Sequence, residues 1–226
     1  MIAITGANGQ LGRLVINALL EQTSASNIVA IVRSPETCAD IKALGIELRK
    51  ADYNSPETLT PALQGIDNLL LISGSEIGQR VEQHKAVIDA AVSAQVSHLA
   101  YTSILKADNS PLILAQEHLA TEKLIKASGL NSTILRNGWY SENYTANSQG
   151  ALQAGSVCSP AGNGLLHSAT RADYALAAAT VLLNPNAHQG KVYELAGSNG
   201  YTLQAYSQML AQAADQSVQY SDIDQA

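Results

Sequence analysis

The chain has 226 residues, 46% of them apolar, with nineteen acidic against thirteen basic side chains and a formal net charge of −6. That length fits one compact core with a small satellite lobe, and the acidic balance, with no basic cluster, argues against nucleic acid as a ligand. No apolar run approaches the ~20 residues needed to span a bilayer, and the N-terminus lacks a signal pattern, so no membrane insertion is expected.

An apolar strand, Ile2-Ala3-Ile4, runs into Gly6-Ala7-Asn8-Gly9-Gln10-Leu11-Gly12 and then a helix. Strand, glycine turn and helix in that order present backbone N–H groups and a positive helix end to a pyrophosphate. Gly6 lets the chain leave the strand sharply, Gly9 keeps side chains away from the phosphates, and Gly12 lets the helix lie close on the sheet. The spacing G-x-x-G-x-x-G departs from the dinucleotide pattern G-x-G-x-x-G, and plain turns also select glycine. Its position at the first strand-to-helix junction favours nucleotide binding.

Further β-branched runs lie at Ile28–Val32, Ile46–Leu48, Leu69–Ile72, Leu99–Tyr101 and Thr133–Leu135, so six parallel strands alternating with helices are predicted. Ser34-Pro35-Glu36, Ser55-Pro56-Glu57 and Ser110-Pro111 each put a capping hydroxyl before a proline at a first helical position. The expected fold is α/β, a Rossmann-like doubly wound parallel sheet. Residues 1–140 are expected to form a dinucleotide-binding domain, and 141–226 a mixed segment adding to the sheet edge and to a smaller lobe.

Ligands of such sheets bind beyond the carboxyl ends of the strands. The second strand ends at Arg33, where an NAD-preferring protein would place an acid; a guanidinium there can grip a 2′-phosphate, which predicts NADPH, the alternative being a solvated loop residue. Asp52, after the third strand, either lines the adenine or caps the next helix. Ser73-Gly74-Ser75 ends the fourth, small enough for the middle of a cofactor to pass close, although a flexible turn explains it too. After Tyr101-Thr102-Ser103 comes a helix with His118 and Thr121-Glu122-Lys123. Short-chain dehydrogenases carry Y-x-x-x-K here, but Leu119 stands four before Lys123, so the tyrosine acid is absent; Lys123 either holds a ribose or is a solvated lysine. Arg136 to Tyr144 places the only tryptophan and two tyrosines among polar groups, either a wall for a flat ring or a packing cluster.

The stretches ITGANGQLG, IVAIVR, LLLISGSEIGQR, YTS, ILRNGWYSENY, SATRADYA and KVYELAG resemble the NmrA-like, atypical short-chain dehydrogenases, and among them the type 2 NADPH-dependent quinone oxidoreductases. The resemblance implies NADPH contacts from Gly6, Ala7, Asn8, Gly9, Gln10, Leu11, Arg33, Ser73, Gly74 and Ser75. It implies further contacts from Gly138, Trp139, Tyr140, Ser141, Glu142 and Asn143, with a quinone stacked beside this last segment. SATRADYA would begin a helix of the smaller C-terminal lobe, which relatives extend by several tens of residues and which is expected to be incomplete here.

The expected chemistry is two-electron reduction of a small-molecule quinone by direct hydride transfer, without flavin. Tyr140, Asn143 and Lys123 are the catalytic candidates, with Asn143 or solvent meeting the hydroquinone oxyanion. The alternatives are a non-enzymatic NADP(H)-binding redox sensor, and reduction of a carbon–carbon or imine bond in an aromatic metabolite. Cys38 and Cys158 stand far apart, fitting reduced thiols in a cytoplasmic protein. The five histidines never fall three to five residues apart, so no metal is expected. Monomer and homodimer are both compatible with the composition.

Overall fold

The computed structural model describes residues 1–223. Its strands are β1 (Ile2–Thr5), β2 (Ile28–Val32), β3 (Glu47–Lys50), β4 (Asn68–Leu71), β5 (His98–Ile104), β6 (Ser132–Asn137), β7 (Ser156–Ser159), β8 (Val192–Leu195) and β9 (Gln219–Asp222). The helices are α1 (Gln10–Leu20), α2 (Ala39–Ala43), α3 (Leu59–Ala62), α4 (Arg80–Ser93), α5 (Ile113–Ala127), α6 (Glu142–Thr145), α7 (Ser148–Ala154), α8 (Arg171–Leu183), α9 (Pro185–His188) and α10 (Leu203–Ala214). They fall into two compact units, Met1–Asn137 with Ala172–Leu195, and Gly138–Arg171 with Ala196–Ala226.

The first unit holds a seven-stranded sheet in the order β3-β2-β1-β4-β5-β6-β8, every neighbouring pair parallel. Residues of one parity, Ala3, Val29, Ile31, Leu69, Leu71, Leu99, Tyr101 and Ile134, pack with Leu59, Leu63, Val87, Ile88 and Ile125 of the α3, α4 and α5 region. The alternate set, Ile4, Ile28, Ala30, Leu70 and Ala100, is equally buried. On that side the Asn68 side chain donates to the Leu182 carbonyl at 3.2 Å, tying β4 to α8. Burial on both faces is why the central strands read as continuous apolar runs.

Six parallel strands were expected; seven make up the main sheet, and β7 and β9 pair apart from it. The missed strand, β8, is an edge strand whose residues alternate between exposed and half-buried, so Val192-Tyr193-Glu194-Leu195 carries no apolar run. The other edge strand, β3, lies at Glu47–Lys50 rather than Ile46–Leu48 for the same reason. The Ser-Pro signals also need correction. Pro35–Thr37 and Pro56–Thr58 are single 3₁₀ turns in which neither Ser34 nor Ser55 caps through its hydroxyl. Instead Thr37 and Thr58 bond back to the Ser34 and Ser55 carbonyls, at 2.8 and 2.6 Å. Helix α5 starts at Ile113, after a loop in which Ser110 accepts from the Leu112 N–H at 3.3 Å.

The single boundary expected at residue 140 gives way to a division at 137, a second at 171, where the chain returns to the sheet unit, and a third at 195, where it leaves again. SATRADYA accordingly does not open a helix of the smaller lobe: α8 begins at Arg171, and from Ala172 on it belongs to the sheet unit. In the second unit β7 pairs in parallel with β9, from Ser156 opposite Gln219 to Ser159 opposite Asp222. Bridges join Tyr140 to Ala169 and Leu166 to Tyr201, and the Tyr206 hydroxyl donates to the Tyr144 carbonyl at 3.0 Å.

Candidate functional site

At the carboxyl end of β1 the chain turns at Gly6, whose φ of +59° lies in the left-handed region, and the Gly9 N–H closes the turn on the Gly6 carbonyl at 2.9 Å. A Cβ at Gly12 would stand 2.5 Å from the Gly6 oxygen and 2.7 Å from the Ala7 Cα. Gly12 therefore lets α1 close over the turn's own backbone, rather than over the sheet as its spacing suggested. No side chain caps α1 at Gly9 and its first turn carries no acid. The first N–H groups of the helix thus have no intrahelical or capping partner. Ala7 and Leu11 are buried and offer the site only backbone, while Asn8, Gly9 and Gln10 are exposed.

This turn borders a cavity of about 550 Å³ lined by Gly6, Asn8 and Gly9, the β2 end with Arg33, Asp52 and Tyr53 after β3, and Ser73, Gly74 and Ser75 after β4. Arg33 stands exposed on its wall. Asp52 accepts from the Asn54 N–H at 3.0 Å, so it shapes its own turn as well as lining the cavity. The buried Tyr53 hydroxyl bonds Thr5 Oγ1 and the Ile72 carbonyl, and Ser73 N–H donates to Thr102 Oγ1 at 2.9 Å, which fixes the strand ends around the cavity. Arg13, on α1, was not expected here. It pairs with Asp40 and donates from Nε to the Asn8 carbonyl at 3.1 Å, holding the tip of the glycine turn.

Outside the cavity residues, the carboxyl ends of β5 and β6 meet α5 in an ion-pair cluster. Ser103 donates to Glu122, and buried Arg136 donates to both Glu122 oxygens, at 3.0 and 2.8 Å, and to Glu194 at 2.8 Å. The guanidinium also pairs with Asp108, and these carboxylates raise its pKa. Lys123 is exposed, on the side of α5 opposite the packed positions Ala115, His118, Thr121 and Ile125, and is not among the cavity residues. At the end of β6, Asn137 is 5% exposed and its side-chain oxygen has no hydrogen-bond partner among the described residues.

Gly138 to Asn143 belong to the second unit, where Arg171 organises them. Its guanidinium carbon lies 4.6 Å from the Tyr140 ring centroid, and its Nη2 donates to Asn143 Oδ1 at 3.1 Å. Glu142 accepts the Arg171 backbone N–H at 2.9 Å and pairs with its guanidinium, so that carboxylate is engaged in starting α8. Ser141 shares a hydroxyl contact of 2.9 Å with Ser168, which reaches Tyr201 at 2.7 Å. No group of three or more potential metal-ligating side chains occurs among the described residues.

Residues 6–185 match the NAD(P)H-binding family. The chain belongs to that family, in its NmrA-like group. It is 52% identical to Quinone oxidoreductase 2 of Escherichia coli strain K12 over its whole length, covering 79% of that protein. The crystal structure of the Escherichia coli NADPH-dependent quinone oxidoreductase complexed with NADPH superposes with a TM-score of 0.96 over 99% of this chain and 79% of that one, again at 52% identity. The Citrobacter sp. triphenylmethane reductase complexed with NADP(H) follows at 0.95 and 38% identity, over 99% and 80% of the two chains. The residues fit the family's cofactor. The uncapped start of α1 suits a diphosphate, and the side-chain-free Gly9 leaves it room.

Proposed function

We propose that the protein is an NADPH-dependent quinone reductase that yields hydroquinones by direct hydride transfer, without a flavin. The observation that carries this reading is a cavity with the glycine turn that leads into the uncapped start of α1 at one wall and Arg33 at another. The 52% identity to the Escherichia coli quinone oxidoreductase supports the acceptor. The Gly6–Leu11 segment would hold the diphosphate through the backbone N–H groups that begin α1, Arg33 the 2′-phosphate, and Ser73 to Ser75 the ribose side of the cofactor.

When bound, NADPH supplies the hydride that, with one proton from water, converts a quinone to a hydroquinone and leaves NADP⁺. The chain's own part is orientation. Tyr140 and the half-exposed Trp139 offer flat faces to a quinone ring, Tyr140 being held by Arg171. With its Oδ1 engaged by Arg171, Asn143 keeps its Nδ2 as the donor to a developing oxyanion; an amide gives a hydrogen bond and no proton, so the proton comes from solvent. The position of Lys123 suits a solvated lysine, and the chemistry asks no acid or base of it. The unpaired thiols of Cys38 and Cys158 support a reducing, cytoplasmic setting, and no helix of the described residues is long and apolar enough to cross a membrane.

The test is anaerobic mixing of flavin-free protein, NADPH and benzoquinone. NADPH should disappear in step with hydroquinone formation. Loss no faster than without protein, with NADPH nevertheless bound, would point to a sensor instead.

A further inference from the structure

The segment after β4, Ser73 to Glu76, forms one wall of the cavity, and a loop of small and polar residues has no core of its own to hold it. Both backbone polar groups of Gly74 are taken by side chains of α4. Its N–H donates to His84 Nε2 at 2.9 Å, and its carbonyl accepts from Arg80 Nε at 2.8 Å. His84 is 0% and Arg80 4% exposed. On the far side of the ring, Nδ1 lies 3.0 Å from Thr121 Oγ1, which donates to the Glu117 carbonyl at 3.0 Å. Arg80 pairs with the Glu117 carboxylate, whose other oxygen accepts the Gly78 N–H at 2.7 Å. Two helices thus clamp the loop at both ends.

The donors fix the tautomer. Because Nε2 accepts from Gly74, the ring proton sits on Nδ1 and is donated to Thr121, whose own proton is committed to Glu117. Burial, with the charges of His118 and Arg80, lowers the His84 pKa to about 3, so the ring stays neutral. Arg80, Gln83 and His84 occupy positions on α4 where a helix packed on a sheet ordinarily buries aliphatic side chains. Val87 and Ile88, one turn on, return to that rule.

We propose that His84 is a positioning residue: as a neutral acceptor locked by Thr121, it holds Gly74 in the conformation that receives the cofactor, and so sets NADPH affinity without touching NADPH. This rests on the cofactor part of the function proposed above.

The experiment compares His84→Leu, His84→Gln, Thr121→Val and the packing control Val87→Ala in the full chain. His84→Leu should raise the Kd and KM for NADPH about tenfold while kcat at saturating NADPH stays within about twofold. His84→Gln, which offers an amide oxygen to the same N–H, should recover most of the affinity, and Thr121→Val should raise KM by a few fold. Val87→Ala should lower the melting temperature and leave the NADPH KM unchanged. Equal losses in His84→Leu and Val87→Ala, no recovery in a folded His84→Gln, or an unaltered Thr121→Val would each overturn the proposal. Exchange of the Gly74 amide, followed by NMR without cofactor, is independent of the function: protection should be lost in His84→Leu and kept in His84→Gln. Retained protection in His84→Leu would sink the clamp, whereas failure of the unmodified protein to bind NADPH would sink the cofactor reading alone.

Discussion

A guanidinium that meets a phosphate discriminates between two coenzymes differing only in that phosphate, and Arg33 is exposed on the cavity wall where such a meeting can occur. Removing it in Arg33→Ala should raise the KM for NADPH by roughly 10- to 100-fold, the value of a charge-assisted pair, while the KM for NADH moves less than about twofold. Steady-state kinetics with both coenzymes check this, and parallel losses would refute the assignment. The place of Arg33 on the cavity wall was legible because it combines a residue type with a strand end. Arg171 and His84 were not, because nothing local separates a helix-start arginine or a helical histidine from the ordinary. Their roles lie in neighbours that only the fold supplies. Lys123 shows the reverse failure, a motif position whose geometry the helix face does not support.

Among the elements, the β1–α1 junction was the most legible, since a left-handed turn and two close backbone approaches each demand glycine. Gly12→Ala should force α1 off the turn, costing about 1–3 kcal/mol of stability by overpacking and weakening NADPH binding along with it. Chemical denaturation and a binding titration measure the two together; an unchanged midpoint would mean the 2.5 Å approach is relieved without cost. The repeated tetrapeptide Ser-Pro-Glu-Thr makes a complementary point. At 34–37 and at 55–58 it builds the same 3₁₀ turn, so the turn is locally encoded, yet its hydrogen-bonding hydroxyl is the threonine's and not the serine's. The edge strands escaped detection because strands packed less fully need no apolar run. Buried Arg136, read from sequence as part of a polar binding cluster, instead neutralises Glu122 within the sheet unit.

For the whole molecule, buried imidazoles set the response to acid. Burial first, then neighbouring charge from Arg80 and, for His84, also His118, lowers the pKa of His84 to about 3 and of His118 to about 4, and burial lowers that of His98. An unfolded chain protonates its histidines near pH 6.5, whereas the folded one withholds the proton until far lower. The unfolded state therefore binds more protons in between. The contribution of these groups to stability is complete above about pH 6.5 and is lost as pH falls toward 4 and 3, at most about 1.4 kcal/mol per unit for each histidine. The urea midpoint should be lower at about pH 5 than at about pH 7, and an equal or higher midpoint would contradict the buried neutral rings.

The chain leaves the sheet unit after Asn137 and comes back at Ala172 to lay β8 beside β6. The intervening stretch, which carries Trp139, Tyr140 and Asn143, is thereby anchored to the sheet unit at both ends. On the function proposed above, recomposing that excursion should alter the preference among quinones and leave the affinity for NADPH in place.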